Sequence, residues 1–298
     1  MSTLRSQISD VIAKRRPAIS PSSLSTYTST ILNLYKRVPG QEKPESVQWY
    51  VDNIPTVLEH IKDEPANKLK GTLAAMYVFS GDTAVHEKML ESAREVNERY
   101  AQQRMTKREA EAWVDWPDVV ARYHAIAEHN AHLWKRKTLS PEDMNVLRNQ
   151  VLLASYVLMP APRRSMDFGT MKLRNYRNDK DNHIDMKGKK AVFHLYKTAK
   201  VYGRQETELP PAYLKLIKQW MKVNQSDYLL LEPMSSSLIT KTLHTMFGGR
   251  KVGVSMLRHS FLSWFYEGDT PAYNDMRRIA EQMGHSINTA LRDYVKRD

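Results

Sequence analysis

Residues 283–294 read MGHSINTALRDY, and the reading of this segment decides what the rest of the chain has to be. Taken alone it is ordinary: Gly284 ends one helix, Tyr294 packs the next against a core, and His285 sits at the joint. A histidine followed nine residues later by a tyrosine gains meaning only if other segments supply groups for the pair to act with.

Three upstream segments do so. VSMLRHSFLSWF (254–265) sets Arg258 among Leu257, Phe261 and Leu262, and a guanidinium on an apolar helical face is costly to bury without an anion. PAPRRSMDFGTMKL (160–173) puts Arg163 and Arg164 where an apolar helix gives way to an expected first strand. A helix dipole or Asp167 would serve as partner there as well as a ligand would. HLYKTAK (194–200) carries Lys197 at a strand end beside an expected hairpin, where a solvated lysine is the ordinary finding, and Lys200 lies on the same hairpin.

The bulk composition narrows the partner. The 298 residues can fill two cores, and Lys plus Arg outnumber Asp plus Glu by 45 to 33, a formal charge of +12 that favours a polyanion, nucleic acid first. No apolar run reaches the length of a bilayer span, and the first residues lack the apolar stretch of a secretory signal, so a soluble intracellular protein, of nucleus or cytoplasm, is expected. There is no cysteine, which excludes disulfides, a thiolate nucleophile and cysteine-ligated zinc.

The expected fold class is mainly α with a small antiparallel β-sheet, an α+β chain. Ser20 and Pro21 open a helix whose stripe runs through Leu24, Tyr27, Ile31, Leu34 and Val38. Further stripes around Pro55, from Leu69 to Tyr77 and from Met89 to Tyr100 complete a helical unit over 1–105. Residues 106–117, charged and without an apolar period, are expected as a linker, and 118–298 as a second domain. There Ser140, Pro141, Glu142 and Asp143 start a buried helix that Pro160 ends. Residues 168–209 hold the expected strands, and helices follow from Pro211, including one for which Ser255 is the natural N-cap.

In this order the segments resemble the catalytic domain of the tyrosine recombinases of the lambda-integrase type. That family has an arginine in an R-x-S-E-L box, a hairpin lysine, an H-x-L-R-H box, and L-G-H-S followed by the tyrosine. The counterparts are RSMDF (164–168), YKTAK (196–200), SMLRH (255–259) and MGHSINTALRDY. Asp167 and Phe168 fill the acidic and apolar places only if Arg164, rather than Arg163, is the box arginine. PRRSMD, WVDWPD and GVSMLRH look most like the branch found in Crypton-type eukaryotic elements, large DNA viruses and their satellites.

The resemblance implies a helical core-binding domain that clamps double-stranded DNA, followed by the catalytic domain. It implies Tyr294 as nucleophile, Arg164 and Arg258 on the phosphate, Lys197 as acid toward the leaving oxygen, and His285 on a non-bridging oxygen. No cofactor and no metal are implied, and the partners are DNA and further copies in a synaptic tetramer, with no membrane. Two departures stand out: Ser255 holds the place of the first histidine of the H-x-L-R-H box, and only VKRD follows the tyrosine, too little for an exchanged helix. A type IB DNA topoisomerase, or a DNA-binding relative without catalysis, would use the same residues. A metal-dependent transposase would need clustered carboxylates, and none here has a distinctive spacing. HEKML (86–90) and GKK (188–190) lack the rest of a zinc-protease helix or a phosphate loop, and His124, His129 and His132 spread over more than one helical face.

Overall fold

The computed structural model describes residues 3–296, and the last two residues of the VKRD tail fall outside them. The chain divides into two compact units, Met1–Gln102 and Gln103–Asp298.

Among its described residues the first unit holds helices and no strand: α1 (Leu4–Arg15), α2 (Pro21–Leu32), α3 (Val47–Asp52), α4 (Ile54–Ile61), α5 (Ala66–Ser80) and α6 (Thr83–Ala101). Ser20 caps α2 by accepting from the Ser23 amide, with Pro21 next. The expected stripe to Val38 is shorter as an α-helix: Asn33 ends it, donating its side-chain amide to Ser29 O at 2.7 Å, and Leu34–Arg37 continue as a tighter turn. Asn53 likewise splits the stripe around Pro55 into α3 and α4. Ile8, Ile12, Ile31, Tyr50, Ile61, Leu73, Met76 and Phe79 fill the core.

Residues 106–117, expected as a linker, belong structurally to the second unit. Thr106 and Glu109 form a reciprocal capping box that opens α7 (Lys107–Ala112), and Ala112, Val114 and Trp116 are buried in the second core. A helix of this length is too short to display an apolar period, which is why the segment reads as aperiodic. α8 (Trp116–His129) and α9 (Pro141–Val157) follow, α9 with the expected Ser140 cap made reciprocal by Asp143.

After α9 the chain turns through Pro160–Arg164 into a short helix, α10 (Ser165–Gly169), where a strand was expected. Residues 168–179 form no strand: Lys172 makes single bridges to His183 and Tyr228, and Asn175 takes a left-handed φ of 48°. The sheet consists of β1 (His183–Asp185), β2 (Lys190–Phe193) and β3 (Gln205–Glu208), antiparallel in the order β1-β2-β3. Ile184, Ala191 and Thr207 stand in register and are buried together on one face, and His183 and Val192 form a buried pair on the other. The connection from β2 to β3 includes one helical turn, α11 (Ala199–Tyr202). α12 (Pro211–Val223), α13 (Ser236–Met246), α14 (Val254–Phe265) and α15 (Tyr273–Gln282) complete the scaffold, and a short final element, α16 (Ile287–Thr289), leads into the turn that carries Tyr294. No described helix is long and apolar enough to cross a membrane.

Candidate active site

The site is built inward from α14. Its apolar positions, Val254, Leu257, Phe261 and Leu262, are buried, and Arg258 is carried into the interior with them at 2% exposure. One of its terminal nitrogens donates to Pro162 O at 2.8 Å, and both approach Met283 O at 3.4 Å. Among the described residues its Nε is buried without a hydrogen-bond partner, and the guanidinium carbon lies 4.7 Å from the centre of the Tyr294 ring. Burial pulls its pKa down, and the neighbouring Tyr294 opposes the fall; an arginine remains charged regardless. Ser255 does not cap this helix. Gly253 occupies the cap in an extended conformation, and Ser255 is exposed within the first turn.

The two adjacent arginines have different surroundings. Arg163 is buried, its Nε donating to Asp167 at 2.8 Å, one terminal nitrogen donating to Gln205 Oε1 at 2.9 Å and to Gln282 O, and its guanidinium 3.9 Å from the Phe193 ring centre. Phe193 and Gln205 are a cross-strand pair, so the end of the sheet grips this side chain. Arg164, at the cap position of α10, is half-buried and reaches Gly284 O at 3.3 Å and Met283 O at 3.5 Å. Arg164 and Arg258 therefore converge on the same backbone.

Lys197 lies in the β2–β3 connection, exposed and four residues beyond the end of β2. Asn182 anchors the start of that connection, accepting from the amides of His194 and Leu195 and donating to Leu195 O. Thr198 ties its middle to the tail segment by donating to Gly284 O at 2.8 Å. Lys200 is also exposed, in α11.

The opening segment is now explained locally. α15 ends in a paired closure: the Gly284 amide donates to Glu281 O and the His285 amide to Ala280 O, with Gly284 at a φ of 69°. A Cβ at 284 would also crowd Thr198 Oγ1 at 3.2 Å. This reversal turns His285 inward, 4% exposed, its Nδ1 donating to Ser286 O at 3.1 Å and its Nε2 buried with no partner among the described residues. After α16, residues Ala290–Tyr294 wind one wider turn, closed by the Val295 amide donating to Ala290 O. It presents the Tyr294 ring 5.2 Å from the His285 ring, nearly parallel, and 5.0 Å from that of His259.

The electrostatics follow from that packing. Burial would raise the Tyr294 pKa, but the charges of Arg258 and Arg164, with Lys197 contributing, outweigh it and hold the phenol below its ordinary value. Burial and the same two guanidiniums push His285 down to about 3, against the pull of Ser286 O and Asp293, so the imidazole is neutral near pH 7. Arg164, Arg258, His285 and Tyr294 form one cluster, and the ammonium of Lys197, on a loop pinned to the same backbone, reaches it electrostatically. Such a set can hold a tetrahedral anion against a phenol poised to lose its proton. Sequence reasoning passed over His259, which donates from Nδ1 to Tyr294 O at 2.9 Å, and Gln103, which donates to Leu291 O at 2.7 Å. The histidine beside Arg258 in SMLRH was the available signal.

No protein-family model and no curated protein matches the chain. Solved structures similar to it include two recombinases. The crystal structure of XerA recombinase has 13% identity and a TM-score of 0.42, the match covering 99% of this chain and 94% of that one. The XerH site-specific recombinase bound to difH substrate, in a pre-cleavage complex, has 13% identity and a TM-score of 0.44, over 97% of this chain and 93% of that one.

Proposed function

We propose that the protein is a site-specific DNA recombinase of the tyrosine type, which cuts and rejoins DNA through a 3'-phosphotyrosyl intermediate. One observation carries the reading: the Tyr294 ring lies against both the Arg258 guanidinium and the His285 imidazole, and Arg258 Nε and His285 Nε2 are buried with no hydrogen-bond partner among the described residues. A DNA phosphate would accept from the Arg258 Nε–H, and by lifting the His285 pKa it would bring a proton onto Nε2, which then donates to it as well. In the proposed step Tyr294 Oη attacks the phosphorus, its proton passes to solvent or base, and the bond to the 5' oxygen breaks. Lys197 gives that oxygen a proton, while Arg164, Arg258 and His285 hold the non-bridging oxygens of the phosphorane. Attack by a 5' hydroxyl on the phosphotyrosine reverses the step, so phosphodiester energy is conserved.

The Crypton-like and viral wording of the motifs makes a mobile element the proposed setting, with the first unit clamping DNA and several copies meeting in a synaptic complex. The deciding experiment uses a nicked suicide duplex, on which the released end is lost and a covalent adduct accumulates. The wild-type chain should form the adduct, and Tyr294→Phe should form none while binding the duplex with nearly unchanged affinity. Adduct formation by Tyr294→Phe would remove Tyr294 from its role. DNA binding without any wild-type adduct on cognate DNA would leave a binding protein.

A further inference from the structure

The wide turn Ala290–Tyr294 leaves backbone carbonyls without helical donors, and their partners come from elsewhere in the second unit. The Lys296 amide, the next donor along the chain, is used by Ser263 Oγ at 2.8 Å. Leu291 O instead accepts from the Gln103 side-chain amide at 2.7 Å, and Tyr294 O accepts from His259 Nδ1 at 2.9 Å. Gln103 makes this bond from a left-handed φ of 56°, a conformation costly for a residue with a side chain unless its surroundings hold it. His259 is braced in turn: its Nε2 is 3.9 Å from Glu109 Oε1, which also faces Lys296 Nζ at 3.5 Å, while Glu109 Oε2 accepts from the Thr106 amide at 2.8 Å. Burial, with Lys296 and Arg258 nearby, keeps His259 below the ordinary histidine pKa. A carbonyl can only accept, so its proton sits on Nδ1.

We propose that Gln103 and His259 are positioning residues, a two-point clasp on the carbonyls of the terminal turn that holds the Tyr294 ring against Arg258 and His285. Neither side chain is assigned contact with the reacting phosphate. They act through the backbone, and one of the two points lies on the segment that directly follows α6. The inference rests on the reading of Tyr294 as nucleophile only for its catalytic consequence. Its structural content stands without DNA.

The test therefore has two arms, both on the full chain. Without DNA, hydrogen exchange over residues 287–296 is compared for wild type, His259→Ala, His259→Asn and Gln103→Ala. Loss of one clasp bond should speed exchange there about tenfold, with the α9 and α12 peptides unchanged. Asparagine, whose amide nitrogen can take the place of Nδ1, should restore protection. With the suicide duplex, His259→Ala and Gln103→Ala should slow adduct formation about tenfold with DNA affinity unchanged, and His259→Asn should recover most of the rate. Unchanged exchange in both alanine variants, or an asparagine variant no better than alanine, overturns the clasp. If His259→Ala does not fold, Gln103→Ala decides by the same readouts. A wild type that makes no adduct refutes the recombinase reading, and the exchange arm still judges the clasp.

Discussion

Acidification tests whether His285 is as enclosed as the structure has it. Its ordinary pKa of 6.5 falls to about 3 through burial and the charges of Arg258 and Arg164. The unfolded chain therefore binds a proton at 285 over a range where the folded chain does not. Stability from this group is fully present above pH 6.5 and declines as pH falls toward 3. Between pH 8 and pH 5 the difference amounts to about 2 kcal/mol, and below pH 3 to about 5 kcal/mol. Urea unfolding followed by tryptophan fluorescence reads this in the second unit, since every tryptophan but Trp49 lies there. His285→Asn keeps a donor for Ser286 O but cannot titrate. Wild type should lose about 2 kcal/mol more than the variant between the two pH values, because the remaining histidines titrate in both and cancel. Equal losses would mean that the imidazole is open to water or free of the two cations, and the case for an anion site beside it would fall. On the recombinase reading, a bound phosphate should lift the His285 pKa, so DNA binding near pH 5 should take up protons, seen by calorimetry in buffers of differing ionisation enthalpy.

Three further outcomes follow, the first on the recombinase reading and the other two from the geometry alone. Lys197→Ala should slow cleavage by about 10²–10⁴ on ordinary DNA, and a 5'-bridging phosphorothioate, whose leaving group needs no acid, should restore most of the rate; an equal defect on both substrates would remove Lys197 as the acid. Gly284→Ala should cost about 1–2 kcal/mol, from its left-handed φ and the crowding against Thr198, and an unchanged urea midpoint would refute the turn as described. Asp167→Ala strands the buried Arg163 and should cost about 3–5 kcal/mol, while Arg163→Met with Asp167→Leu should recover most of it; a loss below about 1 kcal/mol from Asp167→Ala would mean the pair is not buried.

What was legible in the sequence were features with a local cost. Helices α2 and α9 announced themselves through Ser-Pro caps and wide apolar stripes, and Arg258 through its place on an apolar face. α7 and α10 were hidden because a helix of one or two turns has no period to read, and their segments passed as linker and strand. Ser255 was a reasonable cap by residue type, yet Gly253 holds the position, because capping depends on where the preceding backbone turns extended. Gln103 and His259 were beyond reach for another reason. They satisfy backbone carbonyls, which every residue carries, so nothing in residue identity marks the bond from Gln103 across 188 positions to Leu291.

The two buried guanidiniums separate a structural cation from one that awaits a ligand. Both are 2% exposed, so exposure alone does not distinguish them. Arg163 has a carboxylate at 2.8 Å and the face of Phe193, and its positive charge is answered inside the fold. Arg258 is held by carbonyls, and among the described residues no carboxylate lies within ion-pairing distance of it. A carbonyl dipole orients a guanidinium but does not neutralise it, and a full positive charge left in the interior opposes folding by several kcal/mol. Folding has tolerated that cost beside a phenol, a neutral imidazole and a second arginine. The arrangement becomes favourable once an anion enters, and on the recombinase reading that anion is the DNA phosphate that Tyr294 Oη would attack.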